Sequence, residues 1–266
     1  HSLNELVEVE KKKFKGQELT GKILGVVGLG SIGSMVARVG LDLGMQVIGY
    51  DPALSVEAAW RVPAEVERMN SLSHIFAKSD FVSLHVPLLD ETRGMINQDV
   101  LASVNAGCVI LNFAREPIVD NKALRAAMDK GLVKKYISDF PVPEFLGDDR
   151  VMFTPHLGAS TQEAEENCAV MAVDQLVDFL KNGNISNSVN FPPVSMPPRT
   201  GDRLAIVNKN VPGMLGKITS VLASKNVNVA DLINKSRGDL AYNLIDIEQA
   251  PNEGLLRDLS SLDSVM

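Results

Sequence analysis

A doubly wound parallel α/β sheet followed by a small α+β domain is the architecture this sequence predicts, and three observations predict it. Short Val- and Ile-rich runs alternate with amphipathic stretches through the first 160 residues. A glycine-rich turn joins the first run to the first amphipathic stretch, and a break rich in Pro, Ser and Asn at 183–200 precedes a fresh strand-and-helix pattern.

Taken in order, residues 1–18 read as a polar helical or linker piece, with Lys11, Lys12 and Lys13 as a solvated face. Residues 19–160 form the doubly wound domain. Its strands are ILGVVG, QVIGYD, FVSLHVP, CVILNFA, KKYISDF and VMFTP. A helix covers 32–43, and further helices are SLSHIFAKS, NQDVLASV and NKALRAAMDKG. Asn97 and Asn121 stand at the expected N-caps of the last two, and Gly131 closes the final one. Strands that alternate with helices pair in parallel. A long helix follows at 161–182, then the linker 183–200 with PPVSMPP, then residues 201–266 in the order β-α-β-β-α.

The 266 residues suffice for one large and one small domain, each with a core. A formal net charge of -7 with no basic stripe argues against a nucleic-acid partner. No apolar run approaches the roughly 20 residues of a membrane span, and the opening HSLNELVEVEKKKFKG lacks the order of a signal peptide. Cys108 and Cys168, the two cysteines, both read as buried reduced thiols, which fits a cytoplasmic location. Trp60 reads as packing and His74 as structural, on an amphipathic helix.

Gly28, Gly30 and Gly33 make G-x-G-x-x-G directly after a strand and before a helix. The first permits the sharp turn, the second lets backbone approach a pyrophosphate, and the third allows close helix–strand packing. Amides near Ser31 and Ile32 then point at the pyrophosphate from the helix N-terminus. Asp51 ends the second strand, where an acid bonds the adenosine ribose hydroxyls and repels a 2'-phosphate. NAD is the expected cofactor, and no metal is expected.

Ligands in such sheets bind beyond the carboxyl ends of the strands. Arg115 follows CVILNFA, Glu144 closes the PVPE after KKYISDF, and His156 follows VMFTP. An arginine, a carboxylate and a histidine at successive exits suit hydride transfer: one clamps a substrate carboxylate, one tunes, one moves a proton. Each has a plainer alternative, namely an ion-paired Arg, a loop acid and a loop-packing His. His85, at another strand exit, is placed to line the adenine side through its backbone.

With GLGSIG, YDP, HVPL and Thr92, NFAREPIVD, ISDFPVPE, TPHLGAST and SVNFP in this order, the chain resembles the D-2-hydroxyacid dehydrogenases over nearly its whole length. Within that family it is most similar to the members that oxidise 3-phosphoglycerate at the first step of serine synthesis. The resemblance implies a Rossmann-like NAD domain in which Arg115 holds the substrate carboxylate, His156 takes the hydroxyl proton, and Glu144 orients that imidazole and favours its charged form. It implies that Gly28, Gly30, Ser31, Ile32, Gly33, Asp51, His85, Val86, Pro87, Thr92, Phe113, Ala114, Arg115, Asp139, His156, Leu157, Gly158 and Ala159 line the NAD site. The family usually has Gly where this chain has Glu116, and the segment between Glu144 and His156 is short.

NKNVPGMLGKI and NVNVADL resemble an ACT domain, a ferredoxin-like βαββαβ module that binds amino-acid effectors. Asn210, Pro212, Gly213 and Asn228 match its effector positions, Asn208 stands where some relatives have histidine, and L-serine is the implied effector. A homo-oligomer is implied as well. The chain ends at Met266, where the last ACT strand would follow, so an open sheet edge is expected. In the family a substrate domain of about a hundred residues precedes the NAD-binding strand and is completed by the helix at 161–182. The expectation is therefore an N-terminally truncated copy with weak turnover. Other 2-hydroxyacid dehydrogenases and a non-catalytic NAD sensor are the alternatives.

The role of Asp51 is open to direct measurement. Calorimetric titration should find NAD binding tighter than NADP by more than about tenfold, because a carboxylate facing a 2'-phosphate costs several kcal/mol. Equal affinities would remove Asp51 from the ribose site.

Overall fold

The structure is a computed structural model and describes residues 3–11, 16–198 and 201–266. Lys12 and Lys13 of the basic run and the last two linker residues, 199–200, lie outside the described residues. The chain forms two compact units, His1–Gly158 and Ala159–Met266.

The first unit contains α1 (Leu3–Glu10), β1 (Ile23–Val27), α2 (Ser31–Asp42), β2 (Gln46–Tyr50), α3 (Val56–Ala59), β3 (Glu67–Arg68) and α4 (Leu72–Lys78). It continues with β4 (Phe81–Leu84), α5 (Gln98–Ala102), β5 (Cys108–Asn112), α6 (Asn121–Asp129), β6 (Val133–Ser138) and β7 (Val151–Phe153). All seven strands are parallel, in the order β3-β2-β1-β4-β5-β6-β7. Alternate side chains of β1 enter different cores. Leu24 and Val26 pack with Ala37 of α2, and Val27 packs with Ile75 and Phe76 of α4. A sheet covered on both faces therefore produces continuous apolar runs, which is why its strands stand out in the sequence.

Local details depart from expectation. The N-cap of α6 is Asp120, not Asn121, because its carboxylate accepts from the amides of Lys122 and Ala123. Short β3 and α3 carry too few residues to leave a periodic pattern. Trp60 is not core packing; it is 87% exposed. Cys108 is buried, which pushes its thiol up to about 12, but Cys168 is exposed on α7 (Gln162–Asn182), a helix with no buried residue. A helix can be amphipathic in sequence without its apolar side being covered within its own unit.

The second unit adds β8 (Asp202–Lys209), α8 (Met214–Ser224), β9 (Val229–Arg237), β10 (Leu240–Ile247) and α9 (Glu253–Ser260) to α7. The antiparallel sheet runs β8-β10-β9. On one face Leu204, Ile206, Ile245 and Ile247 pack with Ile218 and Leu222 of α8 and Leu255 and Leu259 of α9. On the other, Tyr242 and Leu244 are covered by Val194 and Met196, so the stretch read as a linker is in part a packed strap. The free edge of β8 is partly met by the chain end, where Lys209 N donates to Ser264 O and Met266 N to Val207 O.

Arg203 ties this unit together. Its guanidinium pairs in bidentate fashion with Asp246 and also donates to the carbonyls of Asn182 and Pro197, so β8, β10, the end of α7 and the strap share one buried cation. Its side chain is 4% exposed, and the Asp246 carboxylate beside it pushes its pKa further above the usual arginine value. Arg203→Met should cost about 3 kcal/mol in urea unfolding of this unit, since it leaves Asp246 unpaired; adding Asp246→Leu should recover much of that. A single variant as stable as the parent would show the clamp to be idle.

Candidate functional site

The parallel sheet sends the carboxyl ends of its strands to one edge, and β1 and β4, adjacent in space, diverge there toward helices on opposite faces. A cleft of about 530 Å3 opens at that point, between the first turn of α2 and the segments that follow β4 and β5. Gly30, Ser31, Ile32, His85, Val86, Pro87, Phe113, Ala114 and Arg115 line it, all singled out in the sequence, together with Leu88, which was not.

Its glycines differ in what they serve. Gly28 has φ +87, and a Cβ there would stand 2.6 Å from the His85 carbonyl oxygen; a Cβ on Gly33 would stand 1.8 Å from the Gly28 oxygen. Gly33 is required by the packing of α2 on the turn after β1, and Gly28 by the close approach of the segment after β4. Gly30 is different: a Cβ there meets nothing within 4 Å. Its open space faces the cleft, which fits a dinucleotide phosphate approaching the backbone. Asp51 accepts from the amides of Leu29 (2.9 Å) and Ala53 (2.9 Å), so its carboxylate is fastened beside the turn. Thr92 closes the loop after β4, accepting from Leu89 N and donating to Pro87 O at 2.6 Å.

His85 is half-buried beside this turn, with Nε2 2.8 Å from the Ser83 hydroxyl. Burial lowers its pKa to about 4, so the ring is neutral at pH 7 and adds no cation to the cleft.

At the exits of β5, β6 and β7 the structure brings Arg115, Asp139, Phe140 and His156 together. Phe140 has the Arg115 guanidinium 5.9 Å from its centroid and the His156 ring edge-on at 4.7 Å. Asp139 is 8% exposed. Its Oδ2 lies 4.0 Å from His156 Nε2, and its Oδ1 has no hydrogen-bond partner among the described residues. A buried network sets these exits. Asn112 donates to the Arg115 carbonyl and to the Tyr136 hydroxyl, both at 3.0 Å, while Ser138 bonds the Asn112 carbonyl and receives the Phe140 amide. Burial raises the Tyr136 pKa, so the phenol stays protonated.

Glu144 is held differently. It sits on the short turn Pro143–Phe145, is exposed, and forms no ion pair with His156 among the described residues. Arg125 of α6 anchors that turn: its guanidinium lies over the Phe145 ring at 4.5 Å, pairs with Asp148 and donates to the Glu144 carbonyl. Glu116 accepts from Asn121 at 2.6 Å and so closes its own loop. Leu157 and Gly158 are exposed beyond β7, and Ala159 opens the second unit.

Phe140, Asn112 and Arg125 were missed in the sequence. Only Asn112 left a signal, as a polar residue ending an apolar strand.

Of the residues that the resemblance matches to effector positions, Asn208 is buried, and its side chain is taken up by Asn243 (2.7 Å) and the Lys209 carbonyl. Asn210 is exposed and donates to Gly238 O; Pro212, Gly213 and Asn228 are exposed. Among the described residues no cluster of His, Cys, Asp and Glu could hold a metal, and no helix is long and apolar enough to cross a membrane.

Comparison with known proteins adds to this geometry. Residues 3–158 match the family described as D-isomer specific 2-hydroxyacid dehydrogenase, NAD binding domain. The chain is 33% identical over 268 residues to the D-3-phosphoglycerate dehydrogenase of Haemophilus influenzae, covering 96% of this chain and 64% of that protein. It is 34% identical over 258 residues to that of Methanocaldococcus jannaschii, covering 94% of this chain and 48% of that protein. It thus spans less than two thirds of either relative. Among solved structures, NAD+-bound 3-phosphoglycerate dehydrogenase of Entamoeba histolytica superposes with a TM-score of 0.58 at 30% identity, over 66% of this chain and 57% of that one. Apo D-mandelate dehydrogenase of Rhodotorula graminis gives 0.58 at 28%, over 66% and 52%.

Two measurements test the cleft. Gly33→Ala should lower the melting temperature, whereas Gly30→Ala should leave it within a degree or two and weaken NAD binding by about tenfold or more, as expected where only a ligand occupies the space. The reverse pattern would refute the division of roles. Because the folded His85 pKa lies below its unfolded value of 6.5, stability should fall as pH drops from 6.5 toward 4 and stop falling below it. The loss attributable to His85 is roughly 3 kcal/mol, and a His85→Gln variant with the same pH slope would contradict it.

Proposed function

The chain belongs to the D-isomer-specific 2-hydroxyacid dehydrogenase family, and we propose that it serves the NAD-dependent oxidation of 3-phospho-D-glycerate to 3-phosphohydroxypyruvate. The observation that carries this reading is the Phe140 ring in contact with both Arg115 and His156. The group suited to clamp a carboxylate and the group suited to move a proton are one aromatic ring apart. NAD, when bound, supplies the hydride acceptor.

Arg115 holds the substrate carboxylate through its planar fork and polarises the oxygen on the reacting carbon. His156 accepts the hydroxyl proton as the carbon is oxidised. Asp139 Oδ2 stands 4.0 Å from the His156 ring, and orienting that ring is the role assigned to Glu144. Neutral His85 adds no second cation to the cleft. The choice of 3-phosphoglycerate over other 2-hydroxy acids rests on the names of the similar proteins. The second unit, with its βαββα order, suits an ACT-type module responding to an amino acid such as L-serine, and the assembly we propose is a homo-oligomer.

Side-by-side assays decide among the acids. 3-Phosphoglycerate should be oxidised faster than glycerate or 2-hydroxyglutarate, with His156→Ala lowering kcat by about a thousandfold and Arg115→Lys lowering kcat/KM by about tenfold or more. Faster turnover of another acid would reassign the substrate, and no turnover of any, with NAD still bound, would favour a sensor.

A further inference from the structure

Asn112 ends β5 with a fully buried amide, and nothing in the proposed reaction uses it. Its Oδ1 accepts from Ala114 N at 3.2 Å, and its Nδ2 donates to the Arg115 carbonyl at 3.0 Å. The peptide group between Ala114 and Arg115 is thereby held at both ends. The carbonyl of that peptide, on Ala114, accepts from the Arg115 guanidinium at 2.6 Å. The guanidinium also lies 5.9 Å from the centroid of the Phe140 ring. Phe140 N donates to Ser138 Oγ at 3.1 Å, and Ser138 Oγ donates to the Asn112 carbonyl at 2.9 Å. Both supports of the guanidinium lead back to one residue. The remaining N–H of the amide goes to the Tyr136 hydroxyl at 3.0 Å, which pins the side chain from behind.

We infer that Asn112 is a positioning residue that aims the Arg115 fork at the substrate carboxylate; this rests on the reading of Arg115 as the carboxylate clamp. A planar fork makes two parallel bonds to a carboxylate only when its plane is set beforehand. Misplacing such a group by a fraction of an ångström forfeits much of what it contributes. Ending a strand takes only a local turn, which an exposed asparagine makes equally well. A buried amide, by contrast, is tolerated only when its polar atoms are bonded. Here two of the partners are the backbone of the clamp itself, and the residue's own carbonyl holds the link to Phe140.

Calorimetric titration of 3-phosphoglycerate into protein saturated with NADH reads binding without turnover, since both molecules are in the reduced form. Asn112→Ala should weaken that binding by about tenfold, the loss of a charge-assisted hydrogen bond. Arg115→Lys should also weaken it by about tenfold. Adding Asn112→Ala to Arg115→Lys should cost less than about twofold more, because an ammonium on a flexible stem does not depend on an aimed fork. Tyr136→Phe strands the other N–H of the same amide, so it should lower the melting temperature measured by circular dichroism. It keeps both bonds to Ala114 and Arg115, and the affinity should stay within about twofold of the parent. Should Asn112→Ala not fold, Ser138→Ala takes its place in the same cycle, with about threefold the expected loss. The inference is overturned if the substitution binds like the parent, if its effect adds in full to that of Arg115→Lys, or if Tyr136→Phe weakens binding as much as Asn112→Ala. Arg115→Lys at the parent affinity, or no uptake of 3-phosphoglycerate by the parent, would instead refute the clamp, and this inference with it.

Discussion

The first turn of α2 can dock on β1 only if no side chain stands at Gly33, because the Gly28 carbonyl already occupies that space. Much of the site depends on this single close approach. It fixes the direction of α2, brings the amides of Ser31 and Ile32 to the cleft, and places Leu29 N where the Asp51 carboxylate can bond it. The constraint acts from β4 as well. Gly28 lies against the His85 carbonyl, so the loop that carries His85, Val86 and Pro87 is positioned by the same turn.

The proton-moving side of the site is organised by polar groups inside the sheet. Asn112 and Ser138 are fully buried, and burying amides and hydroxyls is tolerable only when each finds a partner. Here the partners are the backbone at the exits of β5 and β6. A cost met in this way also sets geometry, since Arg115 and Phe140 leave the sheet from atoms that are hydrogen-bonded to one another. Among the described residues two buried side-chain oxygens have no partner, Asn121 Oδ1 at the start of α6 and Asp139 Oδ1, and the second belongs to the carboxylate nearest His156.

The second unit solves another problem. Its three-stranded sheet has apolar side chains on both faces, and α8 and α9 pack against one of them. The strap with Val194 and Met196 covers the other, and the Arg203 cation holds the strap, two strands and the end of α7 at once. A segment of prolines and serines without periodicity can be structural when a few spaced apolar residues and one buried guanidinium fasten it.

The sequence by itself determined the order of elements, the glycine turn, Asp51, and the three polar residues at successive strand exits. These are local matters: apolar runs report a sheet buried on both sides, and a turn that needs glycine admits little else. Tertiary structure alone decided which exits meet. Phe140 became the ring between Arg115 and His156, Asp139 rather than Glu144 became the carboxylate within 4.0 Å of the imidazole, and Arg125 became the anchor of the Glu144 turn. Exposure was equally hidden. Trp60 and Cys168 read as buried because tryptophan and cysteine usually are, yet whether an apolar side chain is covered depends on what packs over it from elsewhere in the chain, which spacing along a helix or strand does not encode.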